Sequence, residues 1–225
     1  GAATWGQFFI YQGFNQNAGW MHTTSTVDNF DEFTETVTSS GGMWSYRDGP
    51  AWRAVTTKPV RLSYRKADGG LATRTITTYA THHGPVVRAD GEKWISTALM
   101  HKPVAALQQS FLRTKVRDLA DFHRVAALAA NATNNTLFAS NKGEAALFLP
   151  QFMPRRDSRF DYTRPVDGSD PATGWHGFHL LSELPHVVNP ANGWAFNVND
   201  GPWWSAGNDS PKQAAFPRYF DKLGR

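Results

Sequence analysis

The sequence predicts an α+β fold weighted towards strands, on three observations. Aromatic and β-branched runs broken by Gly and Asp/Asn turns fill the first hundred residues, helical spacing appears only mid-chain, and the strand pattern returns from Thr136. Trp5 to Phe14 and Trp20 to Ser25 read as strands joined by Asn15 to Gly19. Val60 to Lys66 and Leu71 to Tyr79 alternate apolar and polar residues around Ala67-Asp68-Gly69-Gly70, which predicts a hairpin. Thr81 to Val87 and Lys93 to Leu99 form a second pair across Asp90-Gly91. A short helix is expected between Pro103 and Leu112. A second is expected where Leu119, Phe122, Val125, Ala126 and Ala129 recur at i+3 and i+4 behind Asp118 as N-cap. Leu137 to Ser140 and Ala145 to Leu149 are strands flanking Asn141-Lys142-Gly143. Residues 150 to 193 are rich in Pro, Gly and Asp with little periodicity, so they are expected to pack over the sheet without regular structure. The chain reads as one unit, residues 1–225.

Composition excludes several classes. With 40% hydrophobic and 19% charged residues, the 225-residue chain can build a core. The absence of cysteine rules out a disulfide scaffold, an iron–sulfur cluster and a cysteine-based zinc site. Its longest apolar runs, Ala126 to Ala130 and Ala145 to Pro150, are far below the roughly 20 residues of a membrane helix, so no membrane partner is expected. The net charge is +4, and the basic cluster Arg155, Arg156, Arg159 and Arg164 is interrupted by Asp157, Asp161 and Asp167. A phosphate-tracking groove needs an unbroken stripe, so no nucleic acid is expected either.

Of eight histidines, only His82 and His83 are adjacent. Neighbours on a strand face opposite sides, so the pair reads as structural, bracketing a turn at Gly84-Pro85. No HExxH, GxSxG, P-loop or GxGxxG occurs. Two stretches concentrate Asn, Gly, Trp and Asp beyond what strands need: Gly13 to Ser25 followed by Val27 to Asp31, and Asn189 to Pro202. Taken singly, each reads as a turn before a strand, with Asn or Gly in left-handed positions.

Taken together and in order, the G-x-N-x-x-x-x-W-x-x-T segment from Gly13, the H-G-P-V turn at His83 to Val86 and the N-P-x-x-G-x-x-x-N-x-N segment from Asn189 resemble the penicillin acylase family of N-terminal nucleophile amidohydrolases, which includes acyl-homoserine lactone acylases. The resemblance runs from about Trp5 to Asp209. It implies part of an αββα sandwich and an amidase that cuts itself from a precursor, exposing a serine whose α-amine serves as base. Gly1 has no nucleophilic side chain, so the chain is expected to be an internal part of the catalytic β-subunit, inactive alone, with the remaining α- and β-subunit segments as partners. The implied substrate is a small acyl amide, such as a β-lactam antibiotic side chain or an acyl-homoserine lactone, and the implied location is periplasmic or secreted.

The resemblance also assigns residues. The side-chain amide of the oxyanion hole falls on Asn199, with Asn197 its competitor on the same strand face, and the backbone donor falls on Thr24. The acyl pocket maps to Tyr11, Gln12, Phe111 and Asn134. A structural calcium ion would use Asp28 and Asp31, with Asp209 as a later ligand and a carboxylate from the smaller subunit, although Asp28 and Asp31 can also be read as merely capping the segment into Phe33. No organic cofactor is implied. The competing class is a non-catalytic carbohydrate- or ligand-binding module, whose stacking anchors would be Trp194, Trp203 and Trp204.

Overall fold

The structure is a computed structural model that describes residues 1–3, 9–25, 27–90, 93–99, 102–131 and 133–220. In chain order its strands begin with β1 (Gly13–Phe14), β2 (Ala18–Thr24), β3 (Asp31–Ser40), β4 (Met43–Asp48) and β5 (Ala51–Ala54). They continue with β6 (Thr56–Arg65), β7 (Leu71–Ala80), β8 (Val86–Asp90) and β9 (Lys93–Ala98). Helices α1 (Pro103–Arg113) and α2 (Leu119–Ala126) follow, then β10 (Asn134–Ser140), β11 (Ala145–Phe148), β12 (Val166–Asp167) and β13 (Val187–Val188). The α+β expectation holds.

Where the sequence reads as one unit, the chain divides into two: Gly1–Asn29, Met100–Ser158 and Trp175–Arg225 form the first, Phe30–Leu99 and Arg159–Gly174 the second. The first of the four crossings between them falls inside the Val27 to Asp31 stretch without a Pro/Gly linker.

The first unit carries a sheet in the order β1-β2-β10-β11-β13. Successive residues of a strand face opposite sides, so Ala18 of β2, Phe138 of β10, and Ala146 and Phe148 of β11 share a buried cluster with Val116, Phe122, Ala126 and Leu181. The Phe122 ring lies 4.5 Å from that of Phe138. Pro103 starts α1, where its fixed φ suits a helix and its missing N–H costs nothing. Asp118 caps α2 by accepting from Asp121 N at 2.9 Å. The motif residue Asn15 accepts from the N–H groups of Asn17 and Ala18 and donates to the carbonyls of Thr114 and Val116, tying the β1–β2 turn to the α1–α2 connection. Of the expected Trp5 to Phe14 strand, only Gly13–Phe14 is one, and residues 5–8 lie outside the described residues.

The second unit orders its larger sheet β5-β4-β3-β9-β8, with β12 alongside β3, and carries β6-β7 as a separate hairpin. That hairpin matches its expectation, closing through Asp68, whose Oδ1 accepts from Gly70 N at 2.9 Å. The expected strand from Thr81 to Val87 is shorter, because residues 81–85 turn before β8 begins at Val86. Gly84 sits at φ +148°, and a Cβ there would lie 2.0 Å from Thr97 O, so the turn requires glycine. Since His82 and His83 lie in this turn and not on a strand, their rings are 3.8 Å apart and the opposite-faces argument fails. Their structural role rests on partners instead: His83 Nδ1 is 2.9 Å from Glu35 Oε1, and His82 Nδ1 is 3.2 Å from the Tyr46 hydroxyl.

Candidate active site

Strand β2 ends at Thr24, where the irregular segment after β13 meets it. Asn199 adopts φ +71°, a conformation asparagine tolerates, and its Oδ1 accepts from Thr24 N at 2.8 Å. The two residues assigned to oxyanion stabilisation are therefore in direct contact, and both are exposed. Asn197 is different. It is 5% exposed, and its Oδ1 accepts from Thr23 Oγ1, from Asn135 Nδ2 at 3.0 Å and from Asn199 N at 3.0 Å. Its Nδ2 donates to Asp200 O and Asp200 Oδ1. Asn197 thus locks the turn that carries Asn199 onto β2 and β10. Sequence reading did not single out Asn135 or Asp200, although the N-x-N-D run and the Asn134-Asn135 pair carry the signal.

Tyr11, Gln12 and Asn134 come together around His22. The Tyr11 ring lies 4.6 Å from the His22 ring, Asn134 Nδ2 donates to the Tyr11 hydroxyl at 2.6 Å, and Gln12 Nε2 donates to His22 O at 3.3 Å. Phe111, half exposed on α1, contacts Phe9 at 5.7 Å and the ammonium of Lys115 at 5.4 Å. Burial first, and the positive field of Arg113 second, push the His22 imidazole down to about 3. The unfolded chain then binds a proton that the folded chain refuses between pH 6.5 and about 3, so stability falls as pH falls through this window. The expected slope is at most about 1.4 kcal/mol per pH unit, and His22→Gln should flatten it in denaturation midpoints measured from pH 7 to 4. An unchanged slope in the variant would remove His22 as its source.

The carboxylates assigned to calcium have the following surroundings. Asp28 lies in the first unit with its Oδ1 3.9 Å from Arg156 Nη2, and Asp31, 1% exposed, opens β3 in the second. Asp209 Oδ2 accepts from Ala191 N at 2.7 Å. Among the described residues no group of three or more His, Cys, Asp or Glu side chains is placed to hold a metal ion. Of the stacking candidates, Trp203 packs on Phe216 beside a buried cluster, while Trp194 and Trp204 are exposed. Among the described residues no helix is long and apolar enough to cross a membrane.

The chain is similar to known proteins. A curated relative, penicillin G acylase of Escherichia coli, is 24% identical over 194 residues, which cover 84% of this chain and 22% of the relative. A solved structure, thermostable penicillin G acylase from Alcaligenes faecalis, superposes with a TM-score of 0.78 at 24% identity, covering 89% of this chain and 36% of that one. The chain thus shares the fold of that acylase structure, and it spans between about a fifth and just over a third of the length of these two proteins. The penicillin amidase family model matches residues 1–221, nearly the whole sequence, and the chain belongs to that family.

Proposed function

We propose that this chain forms the oxyanion-stabilising part of an amide hydrolase, with Asn199 and Thr24 as the donors. The observation that carries the reading is the 2.8 Å contact between the Asn199 amide and Thr24 N–H, across 175 residues of sequence. Attack on an acyl amide places negative charge on the former carbonyl oxygen, and each fixed donor aimed at that oxygen lowers the barrier by roughly 3 to 4 kcal/mol. As the side chains stand, Asn199 Oδ1 occupies the Thr24 N–H. Rotation about the soft Cβ–Cγ torsion of Asn199 frees that N–H and turns Nδ2 towards the same point, giving two donors for one oxygen. Burial of Asn197 and its bonds to β2 and β10 hold the backbone of this turn while the exposed amide swings.

In this reading the attacking serine and its α-amine belong to a part of the protein outside these 225 residues, and Tyr11, Gln12, Phe111 and Asn134 border the acyl group. The implied calcium would need oxygens from beyond this chain, and no chemical step passes through it. The complete protein, checked for self-cleavage, should hydrolyse at least one of a panel of phenylacetyl, straight-chain acyl and acyl-homoserine lactone amides. Processed protein that releases no acid from any of them would overturn the assignment.

A further inference from the structure

Strands β6 and β7 pair with each other over ten residues and belong to no larger sheet. At about 3.4 Å per residue the hairpin is about 34 Å long. Its base is tied down, since the Tyr79 ring lies 5.0 Å from that of Trp94 and Thr81 N donates to Gly84 O at 2.9 Å. No residue of either strand is buried. A lone two-stranded hairpin covers too little surface to be stable by itself, so this one calls for a partner.

The two outer edges differ. Proline is confined to edges because it has no N–H to give to a ladder, and Pro59 interrupts the outer edge of β6. The edge of β7 has no such guard. From Leu71 to Tyr79 it holds neither proline nor glycine, and four threonines and Ile76 favour the extended chain. Among the described residues only Ala80 bridges elsewhere, to Pro85. Register places Ala72, Arg74 and Ile76 of this strand on one face with Leu62 and Tyr64, which are 46% and 51% exposed. An added strand therefore finds apolar surface on both sides of one guanidinium.

Charge selects the partner. The hairpin carries Lys58, Arg61, Arg65, Lys66 and Arg74 against the single acid Asp68. Asp68 is held by Lys66 at 3.0 Å and Arg65 donates to Gly69 O, whereas Lys58, Arg61 and Arg74 have no ion pair among the described residues. A second copy of the hairpin would bring the same positive excess and be repelled, and a bilayer would leave the backbone groups of the β7 edge unsatisfied. We infer that the β7 edge takes up an extended acidic segment of a partner protein as a third strand. Its backbone completes the ladder, and its carboxylates lie against Arg74 and the other unpaired cations.

The test uses the complete protein and three acetylated, amidated eight-residue peptides that alternate glutamate with valine, glutamate with proline, or lysine with valine. Hydrogen exchange is read over residues 71–80, and affinity by fluorescence anisotropy of labelled peptide. Without peptide, the outward-facing amides of β7, every second one, should exchange as in a free edge. The glutamate-valine peptide should slow them at least tenfold. The glutamate-proline peptide, equal in charge but without alternate N–H groups, should bind at least tenfold more weakly, and the lysine-valine peptide should not bind. Arg61→Glu combined with Arg74→Glu should weaken binding at least tenfold at an unchanged thermal midpoint, because both side chains are exposed. No slowing by the glutamate-valine peptide overturns the inference, and equal binding of both glutamate peptides overturns strand addition in favour of charge alone. Outward amides already protected in the protein by itself, a dimer that protects residues 71–80, or binding of phosphatidylglycerol vesicles in place of peptide each assigns the edge to another occupant and overturns it as well.

Discussion

Asn199→Ala in the complete, processed protein should lower kcat about 100- to 1000-fold, the loss typical of one oxyanion donor. KM should change much less, because the bond strengthens only as charge develops on the substrate oxygen. Thermal stability should stay within about 0.5 kcal/mol, since the Asn199 side chain is exposed and the bond it gives up is the one to Thr24 N. Asn199→Asp separates the two roles of the amide. A carboxylate can still hold the Thr24 N–H but cannot donate, so kcat should fall at least as far as with alanine. From sequence alone, Asn197→Ala is expected to be the milder change. Its burial adds a second signature, because removing its Oδ1 leaves Thr23 Oγ1, Asn135 Nδ2 and Asn199 N without their shared acceptor. Asn135 Nδ2 keeps Thr23 Oγ1 and Thr24 O as acceptors, so Asn197→Ala should lower the unfolding free energy by about 1–3 kcal/mol for each of the other donors left unpaired, with any kcat loss following from displacement of Asn199. Near-normal kcat in processed Asn199→Ala would sink the assignment. Precursor cleavage must be measured first in every variant, since an uncut protein mimics a catalytic defect.

The fold was legible where local chemistry and tertiary packing agree. The Asp68-Gly69 hairpin, the Pro103 start of α1 and the Asp118 cap of α2 are each set by residues within a few positions of one another. The turn at residues 81–85 differs from its expectation because the β-like pattern continues through Thr81 to Val87, while its shape depends on Gly84 at φ +148°, where a side chain would run into Thr97 O. The division into two units was invisible because the second is assembled from residues 30–99 and the distant 159–174, through β12 pairing with β3. At the site, the assignment of Asn199 and Thr24 comes from the family resemblance that the spaced motifs carry; composition by itself marks only the Asn- and Gly-rich runs in which both lie. Nothing in periodicity or composition marks Arg113 or His22, whose character comes from burial beside groups far apart in sequence.

Glu35→Ala should cost about 1–3 kcal/mol of stability for each buried donor that loses its acceptor, and three donors share this carboxylate. Glu35 lies on β3 and is fully buried. Its Oε1 accepts from His83 Nδ1 at 2.9 Å, Ser96 Oγ at 2.5 Å and Thr81 Oγ1 at 2.7 Å, joining β3 to β9 and to the turn at residues 81–85. The Phe33 ring lies flat on the His83 ring at 3.8 Å, so the imidazole has little freedom to find another partner. Burial alone would raise the Glu35 carboxyl, but hydrogen bonds from His83, Ser96 and Thr81 and the charge on His83 outweigh it and hold the group below its ordinary 4.5. A carboxyl depressed on folding stabilises the native state above the unfolded pKa, and that contribution is lost as pH falls through 4.5 towards the folded value. Denaturant titrations at pH 7 should therefore show the large loss for Glu35→Ala and a smaller one for Glu35→Gln, which keeps an acceptor oxygen but not the charge. Below pH 4.5 the gap between the native chain and Glu35→Gln should narrow. A Glu35→Ala variant within about 1 kcal/mol of the native chain at pH 7 would show that the carboxylate does not hold this turn. A gap independent of pH would show that shape, and not charge, is what Glu35 contributes.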